Sequence, residues 1–417
     1  MQFALRYLFW LETANHKESE AKEMENIYTR REWTLLLASS VAAAGKIPDL
    51  KNSADIACFE RGRILRLAQG FLREQPLTIT AKPCDHSPGG PHDYYSEGDY
   101  NWPKPEEPNG PHVVHLDGMT NPRQFKEHRR ALMRFSVQAP ALVAAWMLTR
   151  KKRYSEHAAK HYRAWFVDAA TRMNPHLQYS QATPGVNSGT RGGVIDTVHL
   201  VEVARAFRCF REAKVFSADD LSAIQEWFNS YLEWLTTSQF GRWEGNSGNN
   251  HATCWVMQVA EFALLTGNGS LVQDCRLRLR RLLEPMNPDG GWKLELSRTK
   301  PYCYSLFQMD AFATACQQLS TPADNLFTLE LPGGQSVARA MSFLYPYIKD
   351  KSRWPYPPDV MWFDLWPVRH PCLLFAGLAL SRREYIELWT QLNPDPQAEE
   401  AIRNHPIRQP VLWFNHV

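Results

Sequence analysis

The 417-residue chain has no C-x-x-C pair among its eight cysteines, at 58, 84, 209, 254, 275, 303, 316 and 372. That absence removes the usual spacing of a zinc or redox-dithiol site. No H-E-x-x-H motif occurs, so neither a metal nor another cofactor is expected. Charge of one sign is also lacking: 47 Lys and Arg against 44 Asp and Glu leave a formal +3. A balance so near neutrality is not that of a nucleic-acid binder, though a small positive excess suits a polyanionic ligand. The apolar run from Trp33 to Ala44 is too short for a permanent bilayer anchor. Strand signals are nearly absent after residue 124, and Gly185, Gly189, Gly192 and Gly193 follow no readable strand, which argues against a phosphate cradle. No fixed period marks a solenoid repeat.

What is present is helical periodicity and aromatic bulk. Hydrophobic residues make up 44% and aromatics 12% of the chain, including 15 tryptophans, enough for a sizeable core. A first helix is expected over residues 53–71, and a second over 124–150, with Pro140 marking a kink or break. Ser155 is the expected N-cap of a third helix, and Ser217 of a helix carrying Leu221, Ile224, Trp227, Phe228, Tyr231, Leu232 and Leu235 on one face. Further apolar faces fall near 194–212, 252–266, 271–284, 303–319 and 335–348. Helices of this length joined by short polar turns imply antiparallel hairpins.

Two stretches break the pattern. Residues 83–123 hold eight prolines and five glycines, which forbids long regular elements. They also hold Tyr94, Tyr95, Tyr100 and Trp102, so this reads as a long ordered loop or lid with a function. After Pro346 the chain is again rich in Pro and Trp, and a surface wrap with its aromatics turned inward is favoured over a cover on one end of a groove.

The polar chemistry concentrates between Gly241 and Phe312, in two clusters that each directly precede an apolar helical pattern. Asn249, Asn250 and His251 form the first; Arg298, Tyr302 and Tyr304 form the second. Together they supply amide and guanidinium donors for a carboxylate, plus an imidazole and a phenol that can move protons. That set suits proton abstraction beside a carboxylate.

Asn250-His251, Arg298-Thr299 and Tyr304, with the segments HDYYSEGDYNWPKPEEPNG (92–110) and QYSQATPGVNSGTRGGVIDTVHL (178–200), resemble the alginate lyase-like polysaccharide lyases over roughly residues 85–380. The resemblance implies an all-α fold, an incomplete (α/α) toroid with a central groove, formed by residues 45–417 as one domain. It implies an anionic polysaccharide as partner, and β-elimination of a β-1,4-linked polyuronate to leave a 4,5-unsaturated end. Tyr304 is then the proton-transfer residue, Asn250 and Arg298 neutralise the uronate carboxylate, and His251 acts as base or helps hold the carboxylate or Tyr304. Tyr94, Tyr95, Trp102, Gln181, Asn187, Arg191 and Tyr302 are the expected substrate contacts. Arg298 and Tyr304 stand six apart, where the best-known alginate lyases have seven. Six resembles a sister branch acting on glucuronan or mannuronan.

Two rival readings are a glycoside hydrolase on the same toroid, for which Glu244, Glu261, Asp289 and Glu295 are the available carboxyl groups, and a non-catalytic glycan-binding protein. Residues 30–44, RREWTLLLASSVAAA, place an arginine pair before the short apolar run and small residues, which resembles a twin-arginine export signal. Residues 1–44 therefore read as an extension and signal, and the mature protein as periplasmic or secreted. Changing both Arg30 and Arg31 to Lys is expected to trap precursor in the cytoplasm. Periplasmic protein with an intact N-terminus beginning before Trp33 would contradict that expectation.

Overall fold

The computed structural model describes residues 50–414, and the arginine-pair segment at 30–44 lies outside them. The chain divides between Ile47 and Pro48, and the described residues belong to the second unit.

Helix α1 spans Ser53–Phe71, α2 Glu127–Thr149, α3 Lys152–Phe166, α4 Leu200–Phe210 and α5 Ala218–Thr237. After these come α6 (Gln239–Gly245), α7 (Asn250–Thr266), α8 (Gly269–Arg281), the single turn α9 (Lys293–Leu296) and α10 (Pro301–Leu319). The C-terminal part holds α11 (Val337–Lys349), α12 (Pro371–Ala379), α13 (Arg383–Gln391) and the short α14 (Glu399–Arg403).

The architecture is an (α/α) toroid. Helices α2, α4, α7, α10 and α12 pack each on the next and form its inner row. Their sequences show why: α7 and α10 are buried on almost every face, as helices apolar all round must be. Around them, α5 and α8 pack on α7, α11 on α10, α13 on α12, and α1 and α3 on α2. These outer helices carry a one-sided apolar stripe, most clearly α5, where Ile224, Trp227, Phe228, Tyr231, Leu232 and Leu235 face inward. Among the described residues α12 does not pack on α2 as closely as the neighbours within the row pack on each other. A 3-10 turn at Pro410–Leu412 packs on α1, α2 and α4 instead.

Several expectations need adjustment. Helix α2 continues through Pro140, so no break occurs there. Ser155 is not a cap: α3 begins at Lys152, and the Ser155 hydroxyl donates back to the Lys152 carbonyl inside the first turn. Ser217 is a cap, its hydroxyl accepting from the Asp220 amide while Asp220 accepts from the Ser217 amide. The proline-rich loop contains short strands. β1 (Tyr95–Glu97) pairs in parallel with β4 (Tyr179–Ala182), and β2 (Asn101–Trp102) pairs antiparallel with β3 (Val114–His115). Strands of two to four residues are too short for an alternating pattern to register in sequence.

The tail folds with its aromatics inward. Trp354 packs against Tyr302, Phe343 and Tyr347. Asp359 accepts from the Tyr302 and Cys303 amides at 2.9 and 3.0 Å, and the Val360 amide donates to the Thr299 carbonyl. This wrap thereby fixes the loop that leads into α10. All eight cysteines are free thiols, five of them buried. Helix α2 is long and apolar enough to cross a membrane, yet most of it is buried within the protein.

Candidate active site

The N-terminus of α7 presents Asn250 and His251. Asn249 is the cap, its side-chain oxygen accepting from the His251 amide at 3.3 Å, so Asn250 is the first helical residue and not the cap. Asn250 is held by Glu295 of α9, which accepts from its backbone amide at 2.7 Å and from its side-chain amide at 2.6 Å. Burial pushes the Glu295 carboxyl upward in spite of those two donors. The His251 Nδ1–H donates to Glu244 of α6 at 2.7 Å. Burial draws the imidazole down, but the Glu244 carboxylate outweighs it and His251 lies above its ordinary value. Glu244 is fully buried, and its second oxygen has no partner. With Nδ1 committed, Nε2 is the atom left for chemistry.

The N-terminus of α10 presents the second cluster. Arg298 donates from Nε and Nη2 to Asp117, at 3.2 and 2.5 Å, and from Nη2 to the Tyr304 oxygen at 3.3 Å. Both members of that ion pair are only about a quarter exposed. Despite burial, Arg298 draws the Asp117 carboxyl down to about 2. Gly118, at φ 77°, lets the Asp117 loop approach this closely, because a Cβ there would strike the Thr299 hydroxyl. The Tyr304 and Tyr100 hydroxyls share a hydrogen bond of 2.5 Å. Burial, then Tyr100, push the Tyr304 phenol well above its ordinary value, against the pull of Lys300 and Arg298. Tyr304 is therefore a protonated phenol at neutral pH when no ligand is bound.

These two helix termini form one site. Helices α7 and α10 pack side by side, and the Arg298 charge acts on His251, on Glu295 and on Tyr304. Both N-termini carry the positive end of a helix dipole, which favours an anion placed between them. Gln181 joins from β4. A Cβ on Gly192 would lie 3.6 Å from His251 Cε1 and 3.8 Å from Gln181 Oε1, both ordinary contact distances, which puts this backbone beside both side chains. Gln181 holds an unusual φ of 45°, and its side-chain amide donates to Asp196 at 2.9 Å. Arg191 is exposed and stacks 3.5 Å over the Trp243 ring, beside Glu244.

Other expected contacts lie elsewhere. Tyr94 and Tyr95 are buried, with hydroxyls donating to Asp196 and Glu97, so neither reaches a sugar. Tyr302 is fully buried, and its hydroxyl donates to the Tyr347 carbonyl. It faces the opposite way from Tyr304 because two residues on a helix are about 200° apart. Trp102 is half-buried on β2, its indole donating to the Met119 carbonyl. Asn187 is exposed and its side chain accepts from the Thr183 amide. The guanidinium of Arg298 also departs from expectation: with Nε and Nη2 occupied, a two-pronged grip on a substrate carboxylate is closed, and Nη1 alone is open.

The carboxyl groups considered for hydrolysis are already engaged. Glu244 holds His251, Glu295 holds Asn250, Glu261 pairs with Arg208, and Asp289 accepts from the Gly291 amide. Among the described residues no cluster of three His, Cys, Asp or Glu is arranged for a metal ion. Sequence reasoning passed over Tyr100, Asp117 and Lys300 at the site, and assigned Glu244 and Glu295 no supporting part. Asp117 carries no local signal, being 181 residues from Arg298. Tyr100 was visible only as one aromatic of a loop.

The sequence model of the alginate lyase family matches residues 78–354. The chain belongs to the alginate lyase family. As a member it is a polysaccharide lyase. Among solved structures, an alginate lyase from Bacteroides ovatus aligns with TM-score 0.72 and 27% identity, covering 90% of this chain and 100% of its own. Alginate lyase A1-III from Sphingomonas species A1 aligns with TM-score 0.48 and 14% identity, over 88% of this chain and 97% of its own. No curated protein matches. Within this alginate lyase-family site, Glu244→Gln removes the charge behind His251 while keeping its shape. The His251 titration is expected to move to lower pH, and ring-proton NMR across a pH series checks it. An unmoved titration would show that Glu244 does not set the imidazole.

Proposed function

We propose that the protein cleaves a β-1,4-linked polyuronate by β-elimination, with Tyr304 transferring the proton at both reacting atoms. The observation that carries this reading is the placement of the Tyr304 oxygen, 3.3 Å from Arg298 Nη2 and 2.5 Å from the Tyr100 hydroxyl, at the N-terminus of α10. Burial and Tyr100 oppose a phenolate there, while the Arg298 guanidinium and the helix dipole favour it. The uronate carboxylate is met by His251, whose pairing with Glu244 favours the charged ring, and by the open edge of Arg298, which stabilise the charge that develops as C5 loses its proton. Asn250, with one amide hydrogen committed to Glu295, has one left to donate.

Before the first turnover the Tyr304 phenol gives up its proton to solvent; in the cycle the phenolate takes the C5 proton, the released electron pair forms the C4–C5 double bond, and the C4–O4 bond breaks with its electron pair on O4. The phenol then gives its proton to O4, which restores the phenolate. Proton and electron pair balance without any oxidant or reductant. In mannuronate and glucuronate the C5 proton and O4 lie on one face, so one phenol serves both. In guluronate the proton lies on the opposite face, and a second base, His251 Nε2 being the candidate, is required. The six-residue spacing of Arg298 and Tyr304 supports the same preference. The alginate lyase named for Bacteroides ovatus, at 27% identity over its whole length, supports an alginate-like substrate.

Mannuronan or glucuronan is therefore expected to be cleaved faster than guluronan, measured as the ultraviolet absorbance of the unsaturated product on the three homopolymers side by side. Tyr304→Phe is expected to lose at least about 10²-fold in kcat with binding retained. Faster cleavage of guluronan, or a Tyr304→Phe variant with near wild-type kcat, would contradict the single-tyrosine mechanism. New reducing ends without that absorbance would point to hydrolysis.

A further inference from the structure

Lys300 is the least accessible cation of the site, with 1% of its side chain exposed. It precedes the first turn of α10 and places Nζ 5.4 Å from the Tyr100 ring centre and 5.8 Å from that of Tyr304. A buried ammonium must be paired, and its partner is Glu400 of α14 at 2.9 Å. Glu400 lies outside residues 78–354, where the family match ends. Its other oxygen accepts from Arg403 at 3.4 Å, and Arg403 reaches Asp99 at 2.5 Å, next to Tyr100. Asp99 is in turn held by Arg129 at 2.7 Å. The C-terminal helix is thus tied from beneath to both tyrosines.

We propose that Lys300, with its charge balanced by Glu400 from α14, is a positioning residue that holds the Tyr100–Tyr304 hydroxyl pair and stabilises negative charge on the Tyr304 oxygen. The proposal rests on the proton-transfer role of Tyr304 given above. Arg298 meets the phenol oxygen directly but spends most of its charge on Asp117. Lys300 supplies a second cation from the ring side, with its ammonium buried. Burial draws the Lys300 ammonium down, yet Glu400 and the two tyrosines outweigh it, and Lys300 stays charged through the working range.

The groups facing the pair are few. From the loop before β2 come Tyr100 and Asp99, from β3 comes His115, whose ring lies edge-on to Tyr100 with centroids 6.2 Å apart, and from the loop after β3 comes Asp117. From the approach to α10 comes Arg298, from its first turn Cys303, from the wrap Asp359, and from α14 Glu400 and Arg403. Asp359 is engaged by the Tyr302 and Cys303 amides, and Asp117 by Arg298, so neither faces the phenol as a free charge.

The test is the pH dependence of kcat on a uronan that wild type cleaves, in Lys300→Met, Lys300→Arg and Glu400→Gln. If phenolate formation limits the acid side, activity rises with pH along a limb set by Tyr304. Removing the cation makes the phenolate harder to form, so Lys300→Met is expected to shift this limb up by about one pH unit, a roughly tenfold loss at fixed pH on the limb. Lys300→Arg restores the limb. Glu400→Gln leaves the ammonium uncompensated and shifts the limb the other way, to lower pH. Should Lys300→Met not fold, Glu400→Gln alone decides: an unmoved limb, or one moved upward, overturns the proposal. A uniform loss across all pH in Lys300→Met also overturns it. Wild-type turnover that does not depend on Tyr304 overturns the catalytic reading and this inference together, whereas Tyr304-dependent turnover with unmoved limbs overturns this inference alone.

Discussion

A charge withdrawn from water must be paired, and that constraint arranges this site. Glu244 stands behind His251, Glu295 behind Asn250, Asp117 behind Arg298 and Glu400 behind Lys300. Each carboxylate comes from a different element, so each pair also ties two parts of the fold together. Removing one member of a buried pair leaves its partner uncompensated, at a cost of about 3–5 kcal/mol for a fully buried example. The polar groups at the two helix termini are therefore fixed before any sugar arrives. Fixed donors lose little in reorganisation when charge develops on a substrate.

The inner row of the toroid makes such pairing possible. Helices α7 and α10 are buried on nearly every side, so they cannot tilt or slide to suit a ligand. Their N-termini open on the same place because the helices run side by side from it. The loop before α10 is held by the Pro-Trp-rich wrap through Asp359 and Val360. The loop after β3 reaches it through Asp117, with Gly118 allowing the close approach. Segments distant in sequence thus converge on a few atoms of Arg298 and Tyr304.

Helices were legible because apolar periodicity is a local property. Ser217 and the face of α5 could be read from a few adjacent residues, and the sites at the starts of α7 and α10 from polar residues ahead of apolar runs. Ser155 misled because a serine ahead of an apolar pattern resembles a cap, whereas Lys151 holds that position. Tyr94, Tyr95 and Tyr302 misled for another reason: an aromatic in a loop or at a helix start gives no sign of which way its ring turns. The carboxylate partners were the least legible of all. Asp117 and Glu400 meet Arg298 and Lys300 only through the tertiary fold, and no spacing rule links residues 181 and 100 positions apart.

The central claim is that one phenol, at residue 304, faces both the C5 proton and O4 of the cleaved unit. A structure of the Tyr304→Phe variant with a mannuronate oligomer bound across the site tests it most directly. The account predicts that the edge of the Phe ring lies against C5–H and O4 on one face of the sugar, with the carboxylate turned toward His251 and Arg298. A sugar whose C5–H instead points at His251 Nε2, with residue 304 on the opposite face or out of contact, would contradict it.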